Sequence, residues 1–106
     1  MRYYHGTSSR LEDVIKEEGL VPSQRWEYVF LDSSARVASS HSYNALDRVG
    51  GKPILVVVES SRVPEALIVK ESECDLWATW IPPEAIVGFK HLKKDWFKRD
   101  EDLFVD

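Results

Sequence analysis

The run Pro53-Ile54-Leu55-Val56-Val57-Val58-Glu59 constrains the fold more than any other segment of the chain. Its apolar residues follow one another without alternation, so it reads as a central strand covered on both faces. Such a strand needs neighbours in its own sheet and packed elements above and below it. Five apolar residues, Ile54–Val58, are also the longest such run, far below the length needed to cross a bilayer as a helix.

The remaining elements follow from patterning and punctuation. Arg2–His5 reads as a first strand. Ser9-Arg10-Leu11-Glu12 has the form of a capping box, with Ser9 at the N-cap and Glu12 reaching back. Leu11, Val14 and Ile15 then share one helical face, and Gly19 ends the helix ahead of Pro22, which predicts a helix over 10–18. Tyr28–Leu31 is a second strand of β-favouring residues. Asp32-Ser33-Ser34 can cap a second helix over about 34–47, with Val37, Ala38, His41, Ala45 and Leu46 toward the interior. Gly50-Gly51 breaks it. Ala66–Lys70, Asp75–Trp80 and Ala85–His91 read as later strands, with Pro82-Pro83 as a helix start. The order β-α-β-α followed by mostly β predicts an α+β domain, two short helices against an antiparallel sheet.

A chain of 106 residues corresponds to a single domain, 1–106, with one core. The composition, 43% hydrophobic and 30% charged, excludes the disordered and collagen-like classes. The N-terminus lacks the basic and apolar regions of a secretory signal. One cysteine, Cys74, cannot form an internal disulfide, which points to a reducing, cytoplasmic setting. No His/Cys cluster has metal-ligand spacing, so no metal is expected. A net charge of −4 argues against general nucleic-acid binding through phosphates, which requires clustered cations. Basic residues gather at 90–98, beside Trp96 and Phe97, most simply as a solvated face. Residues 93–106 form a tail or a final helix.

The chemistry-bearing segment is Tyr3-Tyr4-His5-Gly6-Thr7. A histidine at the mouth of a strand, with a glycine beside it, lets a ligand lie against bare backbone. Thr7 adds a hydroxyl that donates or accepts. Farther on, Glu71-Ser72-Glu73-Cys74-Asp75 is an acidic stretch. If it is extended, Glu71, Glu73 and Asp75 share one face. Its plain structural reading is an acidic strand edge that deters edge-to-edge pairing.

Taken in order, three motifs resemble the ADP-ribosyltransferase superfamily, in particular its small members of the diphtheria-toxin and poly(ADP-ribose) polymerase type. Tyr4-His5-Gly6-Thr7, with Glu18-Gly19-Leu20-Val21-Pro22 after the helix, resembles the family's opening. Val29-Phe30-Leu31-Asp32-Ser33-Ser34 with Ala35-Arg36-Val37-Ala38 looks like its nicotinamide wall. The acidic stretch running into Ile81-Pro82-Pro83-Glu84-Ala85-Ile86 is similar to its catalytic-glutamate segment. The likeness covers about residues 3–87.

The resemblance implies a compact, split antiparallel sheet and NAD as substrate. It implies that His5 and Gly6 hold NAD with Thr7 in support, and that Glu73 acts as the carboxylate, with Asp75 and Glu71 as rivals. Such a carboxylate would stabilise the positive charge that builds at the ribose C1′ as nicotinamide leaves. The sequence departs from the family at the second strand, where Val29 stands at the position of a stacking tyrosine. Phe30 or Tyr43 would have to supply that wall, although a strand phenylalanine ordinarily packs in the core. Ser33 is a further ligand contact if it is not simply part of a cap. The implied activity is ADP-ribosyl transfer to a protein, nucleic-acid or small-molecule acceptor. The alternatives are a non-catalytic ADP-ribose- or protein-binding module on the same scaffold, using Trp77, Trp80 or Trp96, and an RNA 2′-phosphotransferase. The last lacks the expected arginine motifs.

Overall fold

The computed structural model of the chain describes residues 1–23 and 25–93. Six strands form one antiparallel sheet: β1 (Arg2–Ser8), β2 (Val29–Asp32), β3 (Pro53–Glu59), β4 (Ile68–Glu71), β5 (Asp75–Ala78) and β6 (Ile86–His91). Their spatial order is β4-β5-β2-β1-β3-β6. Helices α1 (Glu12–Glu18), α2 (Ala35–Ser40) and α3 (Ser42–Val49) complete the α+β fold.

The apolar run is β3, and it lies between β1 and β6 with Ile54–Val58 all buried. Alternate residues face opposite layers. On one side Val56 and Val58 join Tyr3, Ile15, Leu20, Val29, Leu31, Leu76, Ile81 and Ala85 in the main core, beneath α1. On the other side Leu55 packs with Ala38 and Leu92 beneath α2, where Tyr4 also packs. Each fully buried aliphatic side chain stabilises the fold by about 1.5–3 kcal/mol, so both layers are needed to hold β3 in place.

Several boundaries shift from the sequence expectation. Strand β1 continues three residues beyond His5, because β3 supplies an unbroken partner from Arg2↔Glu59 to Ser8↔Pro53. The cap therefore moves. Ser8, rather than Ser9, accepts the Arg10 N–H and opens a 3-10 turn over Ser9–Leu11. The Ser9 hydroxyl accepts the Lys52 N–H at 3.0 Å instead. Glu12 does not reach back, since it pairs with Lys16 at 2.9 Å and with His91 at 3.5 Å. Gly19 ends α1 with φ +80° as expected, and a Cβ there would strike the Ile81 carbonyl.

The second helix forms as two consecutive pieces that meet at His41. Ser39 and Ser40 donate to the carbonyls of Arg36 and Val37, each at 2.6 Å, a local competition that bends helices. Ala38 and Ala45 are buried as expected and Leu46 is half-buried, but Val37 and His41 are exposed. The Ala66–Lys70 expectation resolves into a 3-10 turn at Glu65–Leu67 followed by β4, and Pro82-Pro83 leads into another 3-10 turn. Lys94, Trp96, Phe97, Lys98 and the tail lie outside the described residues. Among the described residues no helix is long and apolar enough to cross a membrane.

Candidate functional site at the β1–β2 junction

The two halves of the sheet, β4-β5-β2 and β1-β3-β6, are joined by a ladder of one residue pair, Tyr4↔Asp32. Beyond it, His5, Gly6 and Thr7 pair with β3 but have no ladder partner on β2. The motif thus lies inside a strand rather than at its mouth, along the line where the sheet opens.

His5 bridges that opening. Its Nδ1–H donates to the Phe30 carbonyl at 3.0 Å. Burial lowers its pKa below the ordinary histidine value. The Phe30 carbonyl opposes that shift in part, and the nearby His41 adds to it. The imidazole is therefore neutral near pH 7, and the bond to Phe30 fixes its tautomer. Nε2 is left as an acceptor, with no partner among the described residues.

Gly6 has a different explanation from the one its neighbourhood suggested. A Cβ at this position would overlap the Ala38 carbonyl oxygen and come within 2.8 Å of Ser42 Oγ. The missing side chain is filled by the α2–α3 backbone, so on that face the glycine serves close helix packing. Thr7 is buried on β1 opposite Ile54. Ser34, not Ser33, caps α2 by accepting the Val37 N–H at 3.2 Å. Ser33 instead donates its backbone N–H to Cys74 O at 2.8 Å, tying the start of α2 to the acidic segment. Tyr43 is exposed on α3.

The acidic segment is not one extended strand. Residues 72–74 turn the chain from β4 into β5, so Glu71 lies opposite Leu76 and Asp75 lies opposite Asp32. The three carboxylates accordingly do not share the face expected of them. Asp75 is held by the Ser72 hydroxyl at 2.7 Å, the Trp77 indole N–H at 3.0 Å and Lys70 at 3.5 Å. Hydrogen bonding from Ser72, chiefly, keeps its pKa below the usual carboxylate value. Glu73 is exposed at the turn and makes no hydrogen bond or ion pair among the described residues. Tyr3 anchors the turn by donating its hydroxyl to Ser72 O at 2.6 Å. Tyr3 and His5 lie two residues apart on one face of β1, a separation of roughly 6.8 Å along the strand.

Phe30 is 37% exposed rather than packed in the core, where Val29 lies instead. The Tyr4↔Asp32 pairing sets its ring on the face of Tyr4, opposite to the side chain of His5. There it stands edge-on to Trp77 at 5.1 Å and to Trp26 at 5.8 Å between ring centroids, with Tyr28 beside both Phe30 and Trp77 at 6.5 Å. Of the tryptophans expected at an interface, Trp77 belongs to this group, while Trp80 donates its indole N–H to the Glu18 carbonyl. Trp26 and Tyr28 were not anticipated as site residues. The available signal was the aromatic side chain at every second position, Trp26, Tyr28 and Phe30.

Among the described residues no group of His, Cys, Asp and Glu is arranged to hold a metal ion. The chain matches no family model, and no curated protein shows significant similarity to it.

Proposed function

We propose that the chain binds NAD along the opening between β1 and β2 and transfers its ADP-ribosyl group to an acceptor. The observation that carries this reading is His5, tied through Nδ1 to Phe30 O and with Nε2 unpartnered among the described residues, where the central ladder ends. A free imidazole nitrogen accepts a ribose hydroxyl, as the motif resemblance implies. Glu73, which has no competing partner among the described residues, is the carboxylate for the nicotinamide-side ribose, and Asp75 is its rival. In the reaction the C1′–nitrogen bond breaks and its electron pair leaves with nicotinamide. A nucleophile on the acceptor then bonds to C1′ and gives its proton to the carboxylate. Exposed Cys74 accords with a cytoplasmic, reducing setting.

The ring of Phe30, on the face opposite His5, favours a second reading in which the same opening binds ADP-ribose-like ligands without turnover. Calorimetric titration of NAD into the wild type, His5→Ala and Glu73→Gln separates the two. Transfer requires that His5→Ala abolish binding and that Glu73→Gln keep binding while nicotinamide release stops. Binding with no release by the wild type supports the module. Absence of binding at millimolar NAD overturns both.

A further inference from the structure

We propose that the aromatic shelf formed by Trp26, Tyr28, Phe30 and Trp77 is a docking surface for a proline-rich segment of a partner protein, held in the polyproline II conformation. Helices α2 and α3 cover the sheet over β1 and β3, and the shelf lies on the same face over β2 and β5. Trp26 is 62% exposed and Phe30 is 37% exposed. With Arg25 and Glu27 the four rings line an open depression of about 450 Å³.

The surroundings select the occupant. Strand β5 is paired on both sides, and on the β1 side of β2 the Phe30 carbonyl is taken by His5 Nδ1, so the shelf offers no continuous backbone edge to an added strand. The charges nearly cancel. Arg25 and Glu27 flank Trp26 with opposite signs, and Lys70 is committed to Asp75 at 3.5 Å and to the Trp77 ring at 4.7 Å. A phosphodiester chain needs clustered uncommitted cations, which the described residues of this surface do not supply. A polyproline II peptide is apolar and pre-extended, and it makes no internal hydrogen bonds, so its carbonyls seek donors. The Trp26 indole N–H and the Tyr28 hydroxyl are such donors, and neither makes a hydrogen bond among the described residues. The Trp26, Phe30 and Trp77 rings, 5.8 and 5.1 Å apart between successive centroids, make contiguous aromatic surface of the kind against which proline rings pack. Glu27, exposed at the rim, fits a basic residue flanking the prolines.

The test follows tryptophan fluorescence while an oligoproline peptide flanked by arginine is added to the full chain. A glycine-serine peptide with the same arginines and an oligothymidine serve as competitor probes. Saturable binding of the oligoproline peptide alone is expected. It should weaken at least about tenfold in Trp26→Ala, the loss expected of a central aromatic anchor. Glu27→Lys should weaken the arginine-flanked peptide but not an unflanked one. Peptide binding is measured without NAD, so failure of the NAD reading leaves this result standing. The proposal is overturned by absence of oligoproline binding at millimolar peptide, by equal binding of the glycine-serine peptide or oligothymidine, or by wild-type affinity in Trp26→Ala. Both substitutions lie at exposed positions, and an unchanged circular dichroism spectrum shows that each variant is folded.

Discussion

The Tyr3 hydroxyl donates to the Ser72 carbonyl at 2.6 Å, joining the first strand to the turn between β4 and β5 across 69 positions of sequence. Ser72 in turn accepts the N–H groups of Cys74 and Asp75 at 3.2 and 3.1 Å and donates to the Asp75 carboxylate. The phenol and the Ser33 N–H, which donates to the Cys74 carbonyl, together tie the acidic turn to the rest of the fold. Tyr3→Phe removes the only donor in this contact while keeping the ring, and should cost about 1–2 kcal/mol. Urea denaturation should show a lower midpoint with an unchanged slope. If the turn carries the catalytic carboxylate, the same variant lowers turnover more than it weakens NAD binding.

Gly6 and Gly88 make a matched pair of strand glycines. A Cβ at Gly6 would overlap the Ala38 carbonyl, whereas nothing lies within 4 Å of one at Gly88. Gly6→Ala should destabilise the fold by roughly 1–3 kcal/mol, the usual cost of overpacking. Gly88→Ala should be neutral or stabilise it by up to about 1 kcal/mol. Thermal unfolding of the two variants side by side checks this, and equal melting temperatures would contradict the packing assigned to Gly6.

Ser34 caps α2 through the Val37 N–H, with its own backbone N–H bonded to Asp32 Oδ1 at 2.7 Å. Ser34→Ala should cost about 1 kcal/mol, and Ser34→Asp should retain most of the stability because a carboxylate accepts the same bond. Ser33→Ala leaves the cap intact and should change little. Chemical denaturation of the three variants gives the ranking.

Stability should fall on acidification in two windows. The folded-state pKa of His5 is lowered by burial, so the unfolded chain binds its proton first. Stability is lost as pH drops below about 6.5, until His5 is protonated in the folded state too. Asp75, also lowered, contributes stability above about 3.9 that is lost as pH falls through its folded-state value. His5→Gln should flatten the melting temperature between about pH 7.5 and pH 5.5, leaving only the lower window. A slope unchanged in His5→Gln would assign the upper window to another group.

Much of the fold was legible because it rests on local physics. The unbroken apolar run of β3, the glycine stop of α1 and the Gly50-Gly51 break read directly as a buried strand and two helix ends. Gly50 and Gly51 adopt φ +71° and +88°, which only glycine takes without strain. The ends of β1 were not legible, because the length of a strand depends on how far its partner runs beside it. The misread cap at Ser9 follows from that same error. The alternating carboxylates share a face only if residues 71–75 are extended, but the Ser72 N–H bond to Asp75 O and the bonds to the Ser72 hydroxyl close a turn there.

The sequence by itself determined the α+β class, the buried run Ile54–Val58 and the motif His5-Gly6-Thr7, because periodicity, propensity and punctuation act over a few residues. Only the tertiary structure decided that β1 and β2 share a single ladder pair, that His5 donates to Phe30 and that Gly6 makes room for α2. It also decided that Phe30 joins Trp26, Tyr28 and Trp77 on an open face. These are contacts between segments far apart in the chain, set by which strands become neighbours and by which face of the sheet the helices leave uncovered.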